Sequence, residues 1–98
     1  MSVMLGTLEE LILLALSRHE DQSTVTAMRG ALRDAGVAAS GGAIDQTLRR
    51  MAAKSYVTSK LEGPRPRGPD VTRRWFLTDQ GRGALERAEK TRVALRTP

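Results

Sequence analysis

The chain has 98 residues, enough for one domain. Its 40% apolar content excludes a disordered chain, and the absence of cysteine excludes disulfide frameworks and thiolate metal or nucleophile chemistry. The formal charge of +5 is split, since residues 1–45 hold three basic residues against six acidic and residues 46–98 hold thirteen against five. That asymmetry fits either a basic surface for a polyanion or a plain solubilising surface.

The first helix is predicted to start at Thr7, where Thr7 and Glu10 have the spacing of a T-x-x-E capping box, and to run to about Arg18. Leu5, Leu8, Ile12 and Leu16 form one stripe at helical spacing. Leu13 and Leu14 lie off that stripe, so a second apolar face needs another partner, and a second subunit is the expected one. A chain this short buries only about two-thirds of its unfolded surface, which also favours a dimer. The apolar run Leu11–Leu16 is far shorter than the roughly 20 residues needed to cross a bilayer. No signal peptide is recognisable, so the expectation is a cytoplasmic protein without a membrane partner.

After a polar break, Ser23 or Thr24 can cap a second helix with Val25, Met28, Leu32 and Ala35 inward and Arg29 and Arg33 outward. Gly36 has the place of a left-handed C-terminal stop. Ser40 is placed to cap a third helix over about 41–54. Ile44, Leu48, Met51 and Ala52 give its buried stripe, and Gly42, Gln46, Arg49, Arg50 and Ala53 the opposite face. Small residues, a forked amide and two guanidinium groups are groups that can enter a major groove, although an ordinary solvated face has the same composition.

Residues 56–61 (YVTSKL) alternate and are rich in β-formers, and 71–77 (VTRRWFL) read as a returning strand. Between them GPRPRGPD makes a basic loop stiffened by proline, carrying Arg65 and Arg67. Arg73 and Arg74 are adjacent on a strand and so face opposite sides. Thr78 caps a last helix towards Arg96, whose thin inner stripe is Ala84, Leu85, Ala88 and Leu95, interrupted by Arg92. The fold class expected is therefore mostly α with a small β-hairpin, a winged helix-turn-helix in the order helix, helix, helix, strand, wing, strand, helix. Residues 1–77 would form the winged-helix unit and 78–98 a dimerisation helix.

Three segments, LGTLEELILLAL (5–16), SGGAIDQTLRRMAAKSYV (40–57) and RRWFLTDQGRGALE (73–86), resemble the PadR family of bacterial transcription regulators over nearly the whole chain. The resemblance implies a homodimeric regulator, repressor-like, that binds double-stranded DNA with a recognition helix in the major groove and a wing over the backbone or minor groove. It also implies that the terminal helix packs across the dimer with the first helix, which matches the second apolar face at Leu13 and Leu14. The sequence departs from the family pattern at three places: Asp45 stands where a tyrosine is usual, Ser55 where a glycine ends the helix, and Ser23-Thr24 where Gly-Tyr precedes the second helix. A carboxylate at 45 is repelled by phosphate, or can accept from a cytosine amine.

The expected DNA-contacting set is Ser40, Gly42, Gln46, Arg49, Arg50, Arg65 and Arg67, with Gln46 a candidate for an adenine edge and Arg49 and Arg50 positioning residues on phosphate first. The expected dimer interface is Leu13, Leu14, Ala84, Leu85, Ala88 and Leu95. Some relatives in the resembled family bind flat aromatic effectors, but Trp75 reads as core or interface, leaving a small-molecule effector open. His19 has no second ligand nearby in sequence, and no nucleophile–base pair or phosphate loop is present, so no metal, cofactor or enzymatic activity is expected. The competing reading is a winged-helix module that docks another protein without DNA specificity of its own, and Asp45 is the residue that favours it.

Overall fold

The computed structural model describes residues 6–18, 23–64 and 71–96. Its elements are α1 (Thr7–Arg18), α2 (Val25–Asp34), α3 (Gly41–Ala53), β1 (Val57–Glu62), β2 (Thr72–Leu77) and α4 (Asp79–Arg96). The order is the one expected from the sequence. Leu5, His19, Arg65 and Arg67 lie outside the described residues.

Short side chains next to each helix start take up its orphan amides. Thr24 Oγ1 accepts from the Ala27 N–H (3.1 Å) and Ser40 Oγ from the Ala43 N–H (3.1 Å). The cap of α1 differs from the expectation by one residue. Gly6 is the capping position: its carbonyl accepts from the Glu10 N–H (3.0 Å), and its own N–H donates to Glu9 Oε1 (3.1 Å). Glu10 is thereby released from the cap and is buried, with its carboxylate paired to the Arg92 guanidinium of α4.

The helix ends follow equally local rules. Gly36 takes φ +86° and closes α2 as expected. Ala35, expected inward, is instead the exposed C-cap residue. Ser55 ends α3 in the left-handed region at φ 66°, with Tyr56 N–H bonded to Met51 O (2.9 Å) and Ser55 N–H to Ala52 O (3.0 Å). That is a Schellman closure made by a serine in a position that favours glycine.

The core is one cluster of Ile12, Leu13, Leu16, Met28, Leu32, Ile44, Leu48, Met51, Val57, Trp75 and Leu85. Helix α1 runs through its middle, with α2, α3, β2 and α4 all packed against it. This geometry corrects the inference from its two apolar faces. Leu13 is fully buried inside the one chain, because α1 is surrounded rather than laid against a single layer. Ala84 and Leu85 are likewise buried within the chain, at 5% and 6% exposure. Leu14 and Ala88 are half-buried and Leu95 is 82% exposed.

β1 and β2 form an antiparallel hairpin with Val57 opposite Leu77 and Glu62 opposite Thr72. The β2 amide of Trp75 also donates to the Ser23 carbonyl (2.9 Å), tying the entry to α2 onto the free side of the hairpin. Val57 and Trp75 share the inward face and anchor the hairpin to the helices. Trp75 is therefore a core residue.

Candidate nucleic-acid interface

Helices α2 and α3 pack on each other across the short turn of residues 35–40, and α3 holds its inner side through Ile44, Thr47, Leu48 and Met51. Thr47 is buried yet satisfied, since its hydroxyl donates to the Ala43 carbonyl (2.7 Å) and accepts from Arg50 Nη2 (3.3 Å). With that side fixed, Gly42, Gln46, Arg49, Arg50 and Ala53 are all exposed on the other. At about 100° per residue, Ala53 and Gln46 lie in the middle of this arc, with Arg49 at the edge next to Asp45 and Arg50 at the opposite edge.

Asp45 does not stand alone on that face. Arg49 Nε donates to Asp45 Oδ2 at 2.8 Å, one helical turn along, and the pair is solvent-facing. The carboxylate that the sequence sets against a polyanion is thus neutralised within its own helix.

Ser40 sits at the start of α3, where its Oγ caps the Ala43 N–H of the first turn. Beside it, Arg29 and Arg33 of α2 line an open cleft of about 300 Å³ together with Val37, Ala38, Ala39 and Ser40. The helical period alone turns both arginines outward and gives them no role. Their i,i+4 spacing on the outer side of the helix preceding the turn is the signal that could have joined them to Ser40.

The two strand arginines are occupied. Arg73 Nη1 donates to Ser59 Oγ (2.7 Å) and its guanidinium lies 6.0 Å from the Trp75 ring centroid. Arg74 pairs with Glu62 across the hairpin (2.6 Å) and reaches Ser23 Oγ (3.4 Å). Lys54, at the end of α3, pairs with Glu9 of α1 (3.1 Å). Among the described residues no group of three or more His, Cys, Asp or Glu side chains could hold a metal, and no helix is long and apolar enough to cross a membrane.

A helix pair joined by a tight turn, an outward polar face on the second helix and a β-hairpin behind it define a winged helix-turn-helix. Comparison with solved structures narrows the fold. The chain is similar to a PadR-like transcription factor from Bacteroides fragilis, at TM-score 0.79 and 22% identity over 92% of this chain and 84% of that one. It is also similar to a PadR family transcription regulator from Clostridium difficile, at TM-score 0.78 and 18% identity over 93% and 92% of the two chains. A PadR family transcriptional regulator from Eggerthella lenta gives TM-score 0.72 and 21% identity over 87% of this chain and 73% of that one. No protein-family model and no curated protein matches the sequence. The chain has the PadR-like winged-helix fold.

Proposed function

We propose that this chain is a DNA-binding transcription regulator, not an enzyme, and that it acts as a homodimer with α3 in the major groove of double-stranded DNA. The exposed face of α3, backed by α2 and carrying Gly42, Gln46, Arg49 and Arg50, is the observation that carries the reading. The basic second half of the sequence supports it, with Arg65 and Arg67 assigned to the DNA backbone or minor groove. The naming of the similar structures as transcription regulators supports it as well. Repression as the direction of regulation is part of the proposal, as is a cytoplasmic location.

The dimer part rests on α4. Every residue from 89 to 96 is exposed, and Val93 and Leu95 among them are 61% and 82% exposed apolar side chains. Leu14 and Ala88 are half-buried, and the side of α4 that carries Ala88 and Leu95, with the flank of α1 at Leu14, makes the interface proposed, in place of one containing Leu13, Ala84 and Leu85. Two recognition helices related by a two-fold axis would then meet an inverted repeat with half-sites about 34 Å apart. A small-molecule effector remains a partner to be tested rather than one with a site of its own, since Trp75 belongs to the core.

Asp45 favours the competing reading, a protein-docking module, and that support is reduced by its pairing with Arg49. Fluorescence titration of duplex DNA at increasing salt tests the proposal. Affinity should fall steeply with salt, and Arg65→Ala with Arg67→Ala should weaken all sequences and flatten the salt slope. Failure to bind any duplex at low salt, with a stable hetero-complex instead, would favour the docking module.

A further inference from the structure

We propose that Asp45 is a specificity-determining positioning residue, which holds Arg49 so that the chain reads a guanine in each half-site. The inference rests on the DNA-binding reading above and deepens it.

An arginine on a recognition helix has two competing destinations, the charged phosphate backbone and the neutral base edge. The Asp45–Arg49 geometry separates them. Nε is taken by Asp45 Oδ2 at 2.8 Å, and among the described residues Nη1 and Nη2 of Arg49 hold no hydrogen bond. The end of the guanidinium therefore presents two parallel N–H donors, the spacing that guanine offers to with its N7 and O6 acceptors. Anchoring Nε also restricts a long, flexible side chain before binding, so less rotamer freedom is lost when the base is engaged.

The carboxylate biases the choice as well. The Asp45 charge offsets the attraction of Arg49 for a phosphate, whereas N7 and O6 of guanine carry no net charge and lose less by its presence. Position separates the two arginines as well, because Arg49 is at the edge of the exposed arc next to Asp45, while Arg50, drawn to Thr47 Oγ1, is at the opposite edge, about 140° around the helix from that carboxylate. Arg50 is thus left to phosphate and Arg49 is directed to a base. This reverses, for Arg49, the phosphate-first role expected from sequence.

The test is selection of bound duplexes from a randomised pool by the full chain at one fixed salt concentration, followed by titration of the selected site. Each half-site should contain one invariant guanine, and changing it to adenine should weaken binding about tenfold or more. Arg49→Ala and Arg49→Lys should erase that discrimination. Asp45→Ala should reduce it severalfold while leaving binding to non-specific duplex equal or tighter, because a phosphate-repelling charge is gone. Thermal unfolding of Asp45→Ala close to that of the parent chain confirms that the helix is intact, since an exposed i,i+4 pair contributes little to stability. Full guanine discrimination in Asp45→Ala, or selected sites without an Arg49-dependent guanine, overturns the inference while leaving DNA binding standing. Absence of all duplex binding by the parent chain removes the underlying reading and the inference with it.

Discussion

A Cβ atom built on Gly81 would lie 2.0 Å from the carbonyl oxygen of Tyr56. The first turn of α4 is thus seated directly on the backbone that links α3 to β1. Thr78 secures the same corner with both capacities of its hydroxyl, donating to the Ser55 carbonyl (2.5 Å) and accepting from the Gly81 N–H (3.0 Å). Its backbone N–H adds a bond to Tyr56 O (3.1 Å). The L-T-x-x-G element at 77–81 therefore joins α4 to the end of the recognition helix.

Gly81→Ala should destabilise the fold by about 1–3 kcal/mol, because the atom it meets is backbone and cannot swing aside. Gly30→Ala is the matched control. Gly30 is inside α2 with nothing within 4 Å of its built Cβ, so alanine there should stabilise by about 0.5–1 kcal/mol. Urea unfolding of both variants checks the pair, and equal midpoints would refute the close approach.

Ser55 holds φ 66° at the C-terminus of α3. Ser55→Gly should raise stability, by up to about 1 kcal/mol, as relief of the left-handed penalty outweighs the extra freedom of glycine in the unfolded chain. Ser55→Val should lower it, since a β-branched residue tolerates that φ least. Thermal denaturation ranks the three, and the order Gly, Ser, Val is the expected one.

Arg92 and Glu10 join α4 to α1 across 82 residues of sequence. Glu10 is buried, but Arg92 is half exposed, so the pair is screened and its loss should cost only about 1 kcal/mol. Arg92→Ala leaves the Glu10 carboxylate without that partner in a buried site. Hydrogen exchange should then speed up in the second half of α4 and stay unchanged in α3. Uniform acceleration in both helices would argue against a local anchor.

Leu95→Glu should shift the proposed dimer towards monomer, while Leu13→Ala should lower stability by about 2–5 kcal/mol through a core cavity. Light scattering reads the first effect and chemical denaturation the second. A dimer untouched by Leu95→Glu would move the interface away from the exposed end of α4.

How much of this was legible beforehand depended on distance along the chain. Thr24, Ser40 and Gly36 do their capping within four residues of themselves, and each does what its residue type and position foretold. The outward set on α3 followed from the 3.6-residue period alone. Two residues could not be placed by local rules: Glu10, whose spacing from Thr7 pointed to a capping box that did not form, and Arg92, which breaks the inner stripe of the last helix. They proved to be each other's partner.

The sequence by itself determined the order of elements, the caps at Thr24, Ser40 and Gly36 and the exposed face of α3, because these depend on backbone hydrogen bonds and periodicities that span only a few residues. Tertiary structure alone decided which apolar residues α1 buries in its own chain, since four elements surround it and a periodicity cannot count neighbours. It alone seated Gly81 against Tyr56 and paired Glu9 with Lys54. Asp45 belongs to both levels. Its conflict with a polyanion was visible in the sequence, and its resolution required Arg49 to adopt the one side-chain direction that closes a 2.8 Å contact.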